Sequence, residues 1–203
     1  MPRTSRIVQP GFPHHVTQRG NRRMDVFFRE SDYELYIQIL SEQALRYQVD
    51  FWAYCLMKNH VHLIAVPSNT DGLALMFREA HRRYTRYINH RHEWSGHLWQ
   101  DRYASFVMNE PHALMAARYI ENNPVYAGIV NNAGSYRWSS AAYHLGMKQN
   151  DLLVSPDHPL KELIADWKSY LDEGISDADK SLKEREMLLK HEKSGRPLIL
   201  GTE

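Results

Sequence analysis

The chain has 203 residues, 43% of them apolar, with 25 Lys and Arg against 24 Asp and Glu and a formal net charge of +1. That length suits one compact domain with appended elements, and the balanced charge assigns no partner to the chain as a whole. Cys55 is the only cysteine, which excludes an internal disulfide framework, and no apolar run is long enough to span a bilayer.

The segment Met1 to Pro13 carries Arg3 and Arg6 but no apolar core, so no signal peptide is expected and the expected compartment is the cytoplasm. His15 to Gly20 reads as a strand ending in a glycine turn. Ser31 or Asp32 can cap a helix to Tyr47, whose apolar face holds Tyr36, Ile39, Leu40 and Leu45. Val49 to Met57 and His60 to Val66 are rich in strand formers. The Lys58-Asn59 break between them makes a hairpin, and Pro67 ends it. Asp71 to Asn89 reads as a helix and Leu98 to Met108 as a strand or strand pair. A further helix opens at Glu110-Pro111 and is expected to stop at Asn123-Pro124, because proline removes an amide donor.

This order predicts an α+β fold, a ferredoxin-like antiparallel sheet with helices on one face. Beyond Gly128 the pattern weakens. Ser139 to Leu145, Pro159 to Leu171 and Asp177 to His191 look helical, and Ser194-Gly195-Arg196-Pro197 begins a tail. The expected division is a domain over 1–146 and a C-terminal helical extension and tail over 147–203.

Three features carry chemistry. In Asn59-His60-Val61-His62-Leu63 the two histidines are two apart on a strand. They therefore share a face, while Val61 and Leu63 enter the opposite layer. Two adjacent imidazoles can ligate one divalent cation, although such a pair also fits the polar side of a half-buried strand. His90-Arg91-His92 follows a predicted helix, where residues two apart do not share a face. His14-His15 is expected not to chelate, because strand neighbours point to opposite sides. The second feature is Tyr119 with Asn123, four apart and so on one helical face. A tyrosine can be a covalent nucleophile toward phosphorus, and an asparagine oxygen can complete a metal shell. The third is arginine interleaved with aromatic residues: Arg19, Arg22 and Arg23, then Arg82, Arg83 and Arg86 around Tyr84 and Tyr87, then Trp99 and Arg102 beside Tyr103. Planar forks for phosphate and aromatic planes for bases suit single-stranded nucleic acid.

Four blocks together resemble the REP-associated tyrosine transposases, relatives of the single-tyrosine transposases of bacterial insertion sequences with a His-hydrophobe-His motif. They are Pro10 to Asn21, Met57 to Leu63, Leu98 to Tyr103 and Tyr119 to Val125, in order over about 1–143; Ser194 to Leu198 resembles the family's tail more weakly. The resemblance implies Mg²⁺ or Mn²⁺ held by His60, His62 and Asn123, with Tyr119 attacking a phosphodiester and becoming linked to the 5′ phosphate. It also implies cleavage and rejoining of single-stranded or hairpin DNA from repetitive elements, by a bacterial, nucleoid-associated monomer or homodimer. Where family members have arginine, this chain has Tyr126, which puts a basic DNA contact there in doubt. A hydrolase that activates water, a hairpin-binding protein without catalysis and a zinc module are the competing readings. Two histidines without cysteine partners make a poor closed zinc site.

Overall fold

A computed structural model describes residues 7–176, with side chains to residue 173. Strand β1 (His14–Arg19) leads to helix α1 (Glu30–Tyr47), the hairpin of β2 (Val49–Met57) and β3 (His60–Pro67), helix α2 (Gly72–His92), strand β4 (Ala104–Val107) and helix α3 (Glu110–Tyr126). Three shorter helices follow: α4 (Ala141–His144), α5 (Leu160–Leu163) and α6 (Trp167–Ser176). The sheet is antiparallel, in the order β2-β3-β1-β4. The two central strands, β1 and β3, carry the histidines.

Strand parity decides what each face meets. Val16, Val61, Leu63 and Ala65 join Tyr36, Leu40, Phe77 and Tyr84 in a core beneath α1 and α2. Ile64, Cys55 and Met57 point the other way, into a second core with Ala113, Ala116, Ala117 and Ile120 of α3. The α+β antiparallel expectation holds, and α1 and α2 do share one face. Helix α3 is the exception and covers the opposite one. The reason is that the sheet is apolar on both sides near the β2-β3 hairpin, and α3 offers an apolar stripe of Ala113, Ala116, Ala117 and Ile120, at i, i+3, i+4 and i+7, against it.

Helix α3 also runs through Pro124 instead of stopping there. Proline costs the helix one amide donor, but the last turn closes without it: Ala127 N–H donates to Asn123 O (3.0 Å) and Gly128 N–H to Val125 O (2.9 Å). Gly128, at φ +67°, then makes the left-handed exit. Asn123 therefore lies inside the helix. Strand β4 is shorter than expected, because residues 100–103 turn away from the sheet with Asp101 at φ +51°. That turn is tied to β1 by the Gln18 amide, which donates to Gln100 O at 2.9 Å. Asp32 is not the cap of α1. It stands in the first turn and accepts from the N–H groups of Phe28 (2.8 Å) and Arg29 (3.0 Å) ahead of the helix. Helix α2 extends beyond Asn89, so His90 and His92 occupy its last turn.

The segment after α3 returns along its outer side. Leu160, Ile164 and Trp167 enter the α3 core, and the Asn122 amide donates to Leu171 O at 2.9 Å. The helix expected over Pro159 to Leu171 is split, because Ile164 is extended at φ −111°, ψ 92°. The helix expected over Asp177 to His191 and the tail from Ser194 lie outside the described residues. Among the described residues no helix is long and apolar enough to cross a membrane.

Candidate active site

The site is built on the α3 face of β1 and β3. Register places Arg19 opposite His60, Thr17 opposite His62 and His15 opposite Ile64. His60 and His62 project to one side with ring centroids 5.0 Å apart and planes at 87°. The Nδ1 atom of each has a partner on this chain. His60 Nδ1 lies 2.6 Å from Asn59 Oδ1, and His62 Nδ1 lies 3.1 Å from His15 Nε2. Burial, helped by Arg19, pulls His60 down to about 4 from the usual 6.5. Burial first, and then repulsion by His60 and His15, holds His62 well below 6.5. Both rings are therefore neutral at neutral pH, the form in which imidazole ligates a metal.

Tyr119 comes down from α3 onto this pair. It is 5% exposed. Its ring meets His62 edge-on, 5.5 Å between centroids at 86°, and His15 at 6.5 Å and 85°. Tyr126, two turns along, stacks behind it at 6.3 Å and 26°. Tyr126 thus supplies an aromatic neighbour to Tyr119. Asn123 is buried one turn beyond Tyr119 on the same stripe of the helix. Glu121 faces away: its carboxylate accepts from Ser140 Oγ and lies 2.5 Å from His144 Nδ1, on the far side of α3.

The donor set fits a divalent cation. Two neutral imidazoles on one strand face make about a third of an octahedral shell, and the amide oxygen of Asn123 is of the type that Mg²⁺ and Mn²⁺ accept. Among the described residues no group of three or more His, Cys, Asp or Glu could hold a metal ion, so further ligands must come from an amide, solvent or substrate.

A family model described as "Transposase IS200 like" matches residues 10–123, a span that encloses β1, the His60–His62 pair, Tyr119 and Asn123. The chain belongs to the IS200-like transposase family. Among solved structures, a REP-associated tyrosine transposase bound to a REP hairpin is 19% identical with a TM-score of 0.62, covering 77% of this chain and 93% of that one, which establishes a shared fold. A transposase-like protein of Deinococcus radiodurans is 23% identical at a TM-score of 0.42, with 60% and 97% covered. No curated protein sequence matches the chain at a significant level.

In this IS200-like chain a cleft of about 300 Å³ opens beside the histidines, lined by Thr17, Arg19, His60, His62, Gln100 and Arg102 among others. It meets a broader groove of about 940 Å³ along α2 at Asp101, which borders both. Arg82, Arg83 and Arg86 line the broad groove. Arg82 is engaged by Glu79 at 2.8 Å and Arg83 by Glu42 at 2.6 Å. Arg22 and Arg23 sit exposed in a tight turn after β1, both at positive φ.

Trp99 borders the broad groove with little of its surface exposed. It is 7% exposed and packs on His81, with centroids 4.6 Å apart, and on Tyr36. Its indole plane belongs to the core. Tyr84 is buried too, donating to Val26 O at 2.7 Å. Tyr87, which also lines the groove, is 38% exposed.

His15 is the residue that sequence reasoning passed over. His14 does point away, with Nδ1 donating to Phe12 O at 2.7 Å. The same alternation that separates the two histidines sends His15 to the site. The signal was Val16, whose core position fixes the parity of β1, but only the β1-β3 register tells which histidine meets His62.

Proposed function

We propose that this transposase cleaves and rejoins single-stranded DNA through a covalent 5′-phosphotyrosine at Tyr119. The observation that carries the reading is the placement of Tyr119 edge-on to His62, beside a cleft with Arg19 and Arg102 on its wall. The phenolic oxygen of Tyr119 attacks a backbone phosphorus. The bond from phosphorus to the 3′ oxygen breaks, the 3′ oxygen takes up a proton, and the 5′ phosphate stays on Tyr119. Attack by another 3′ hydroxyl reverses the step, and because no water is consumed the bond energy is conserved for rejoining. His60, His62 and Asn123 would hold Mg²⁺ or Mn²⁺, which would supply neutralisation of the phosphate charge. Arg19 and Arg102 neutralise the strand in the cleft, and Arg22, Arg23 and Arg86 extend the basic surface on either side.

The substrate that suits these features is a single strand or a hairpin from repetitive DNA, in keeping with the hairpin bound by the structural relative. Catalysis belongs to residues 1–146, and 147–203 form the extension. The activity is cytoplasmic, at the nucleoid. The test is incubation with a labelled single-stranded hairpin and Mn²⁺, followed by a denaturing gel. A slow-migrating protein–DNA band supports the reading; cleavage without any covalent band replaces Tyr119 by water as the nucleophile.

A further inference from the structure

Among the described residues the polar partner of His15 is His62. The ring is 0% exposed and lies nearly parallel to that of His62, with centroids 5.4 Å apart and planes at 13°. Its Nε2 is 3.1 Å from His62 Nδ1, and its own Nδ1 is buried without a hydrogen-bond partner among the described residues. Its edge also meets the Tyr119 ring at 6.5 Å.

A neutral imidazole donates from one nitrogen and accepts at the other. A histidine that ligates a cation through Nε2 must carry its proton on Nδ1, and that proton needs an acceptor. His15 Nε2 is the atom in place to accept it. His15 then carries its own proton on Nδ1, a buried donor left unpaired, which is a cost to folding. An apolar side chain would fill the same space between Ile64 and Phe106, its cross-strand neighbours, without that cost. The imidazole is therefore not explained by packing alone.

We infer that His15 is a positioning residue: by accepting the Nδ1 proton of His62 it fixes the tautomer and orientation of that ring, and it holds the ring at a set angle to Tyr119. This rests on the reading of His60 and His62 as cation ligands. Losing such a partner typically weakens metal binding about 10- to 100-fold.

The experiment is Mn²⁺ titration of the full chain by electron paramagnetic resonance, without DNA, for wild type, His15→Leu, His15→Gln and His62→Ala. His15→Leu is expected to raise the Mn²⁺ dissociation constant at least about tenfold. His15→Gln, whose amide oxygen can accept the same proton, is expected to stay within about threefold of wild type. Wild-type affinity in His15→Leu together with loss in His62→Ala overturns the role of His15 and leaves the metal site standing. Unchanged affinity in His62→Ala overturns the metal site itself. Should His15→Leu not fold, long-range proton–nitrogen spectra of the Mg²⁺-loaded wild type decide. A proton on His62 Nδ1 is expected, and a proton on His62 Nε2 overturns the inference.

Discussion

Tyr119 stands edge-on to His62, with ring planes at 86° and centroids 5.5 Å apart, so the nucleophile proposed on α3 and the ligand proposed on β3 meet through side chains that the backbone holds from opposite layers. Replacing Tyr119 with phenylalanine removes the hydroxyl and keeps the ring that packs on His62, His15 and Tyr126. Tyr119→Phe is expected to abolish the covalent adduct while shifting folding stability by no more than about 1 kcal/mol, the net worth of one hydrogen bond. A denaturing gel reads the first and urea unfolding the second. Cleavage at near wild-type rate in the variant would remove Tyr119 from the mechanism.

The arginines separate into two groups, and salt dependence distinguishes them. Arg82 and Arg83 are already met by Glu79 and Glu42, whereas Arg22 and Arg23 stand exposed beyond β1. The double variant Arg22→Ala, Arg23→Ala is expected to weaken binding to a single-stranded hairpin across all sequences and to lower the slope of log affinity against log salt by about 1 to 2. Trp99→Ala is expected to act through folding, costing about 3 to 5 kcal/mol as a core truncation. Anisotropy titrations at several salt concentrations test the first statement. An unchanged slope would place the strand elsewhere.

Gly20 ends β1 where the chain folds back on itself. A Cβ there would lie 2.1 Å from Met24 O and 2.8 Å from Val26 Cγ1, and backbone oxygen cannot step aside as a flexible side chain could. The same residue donates its N–H to Asn59 O at 2.8 Å, tying β1 to the β2-β3 hairpin next to His60. Gly20→Ala is expected to destabilise the fold by about 2 kcal/mol, within the usual range for overpacking. A chemical denaturation midpoint equal to wild type would show that the loop yields more easily than this geometry implies.

Much of this was legible in the sequence, for identifiable reasons. The period-two pattern of Asn59-His60-Val61-His62-Leu63 fixed both the face of the histidines and the core position of Val61 and Leu63. Helical spacing placed Asn123 on the Tyr119 stripe and turned Glu121 away. What failed depended on partners distant in sequence. Pro124 looks like a stop until Ala127 and Gly128 close the turn around it. The packing of Trp99 on His81 and Tyr36 was not legible either. That α3 takes the second face of the sheet depends on Ile64, Cys55 and Met57 lining up across two strands, which no local window contains.

Histidines outside the His60–His62 pair give the stability a pH dependence. Burial holds His81 to about 3, and burial with repulsion from His144 and Lys161 holds His158 to about 3, against 6.5 in an unfolded chain. Between those values the unfolded chain binds protons that the native state does not, so stability rises with pH over this window and falls as pH drops below about 6.5. Each such histidine contributes a slope of at most about 1.4 kcal/mol per pH unit. His81→Phe is therefore expected to flatten the fall between pH 6 and pH 4 by roughly that slope. Urea unfolding of both proteins at several pH values measures it, and parallel curves would mean that His81 titrates normally in the native state.

Asn123 and Glu121 are two residues apart on α3 and are expected to fail in different ways. Asn123 is buried on the Tyr119 side, inside the helix and not at its end, so its side chain is not needed to terminate α3. Alanine is also the better helix former there. Asn123→Ala is therefore expected to leave metal-free stability within about 1 kcal/mol of wild type. It should raise the Mn²⁺ concentration for half-maximal cleavage at least about tenfold, the low end for lost support at a metal site. Glu121 accepts from Ser140 Oγ and sits against His144 Nδ1, with both its own side chain and that of His144 fully buried. Ser140 Oγ in turn accepts from Tyr54 N–H at 2.9 Å, so the carboxylate links α3 to β2 and to the segment after it. Glu121→Ala strips partners from two buried groups, at about 1 to 3 kcal/mol each, and is expected to lower the unfolding midpoint markedly. The Mn²⁺ midpoint of the protein that remains folded should not move. Reversal of the two patterns, with the metal midpoint shifted by Glu121→Ala and held by Asn123→Ala, would assign the third ligand to the wrong side of α3 and remove Asn123 from the site.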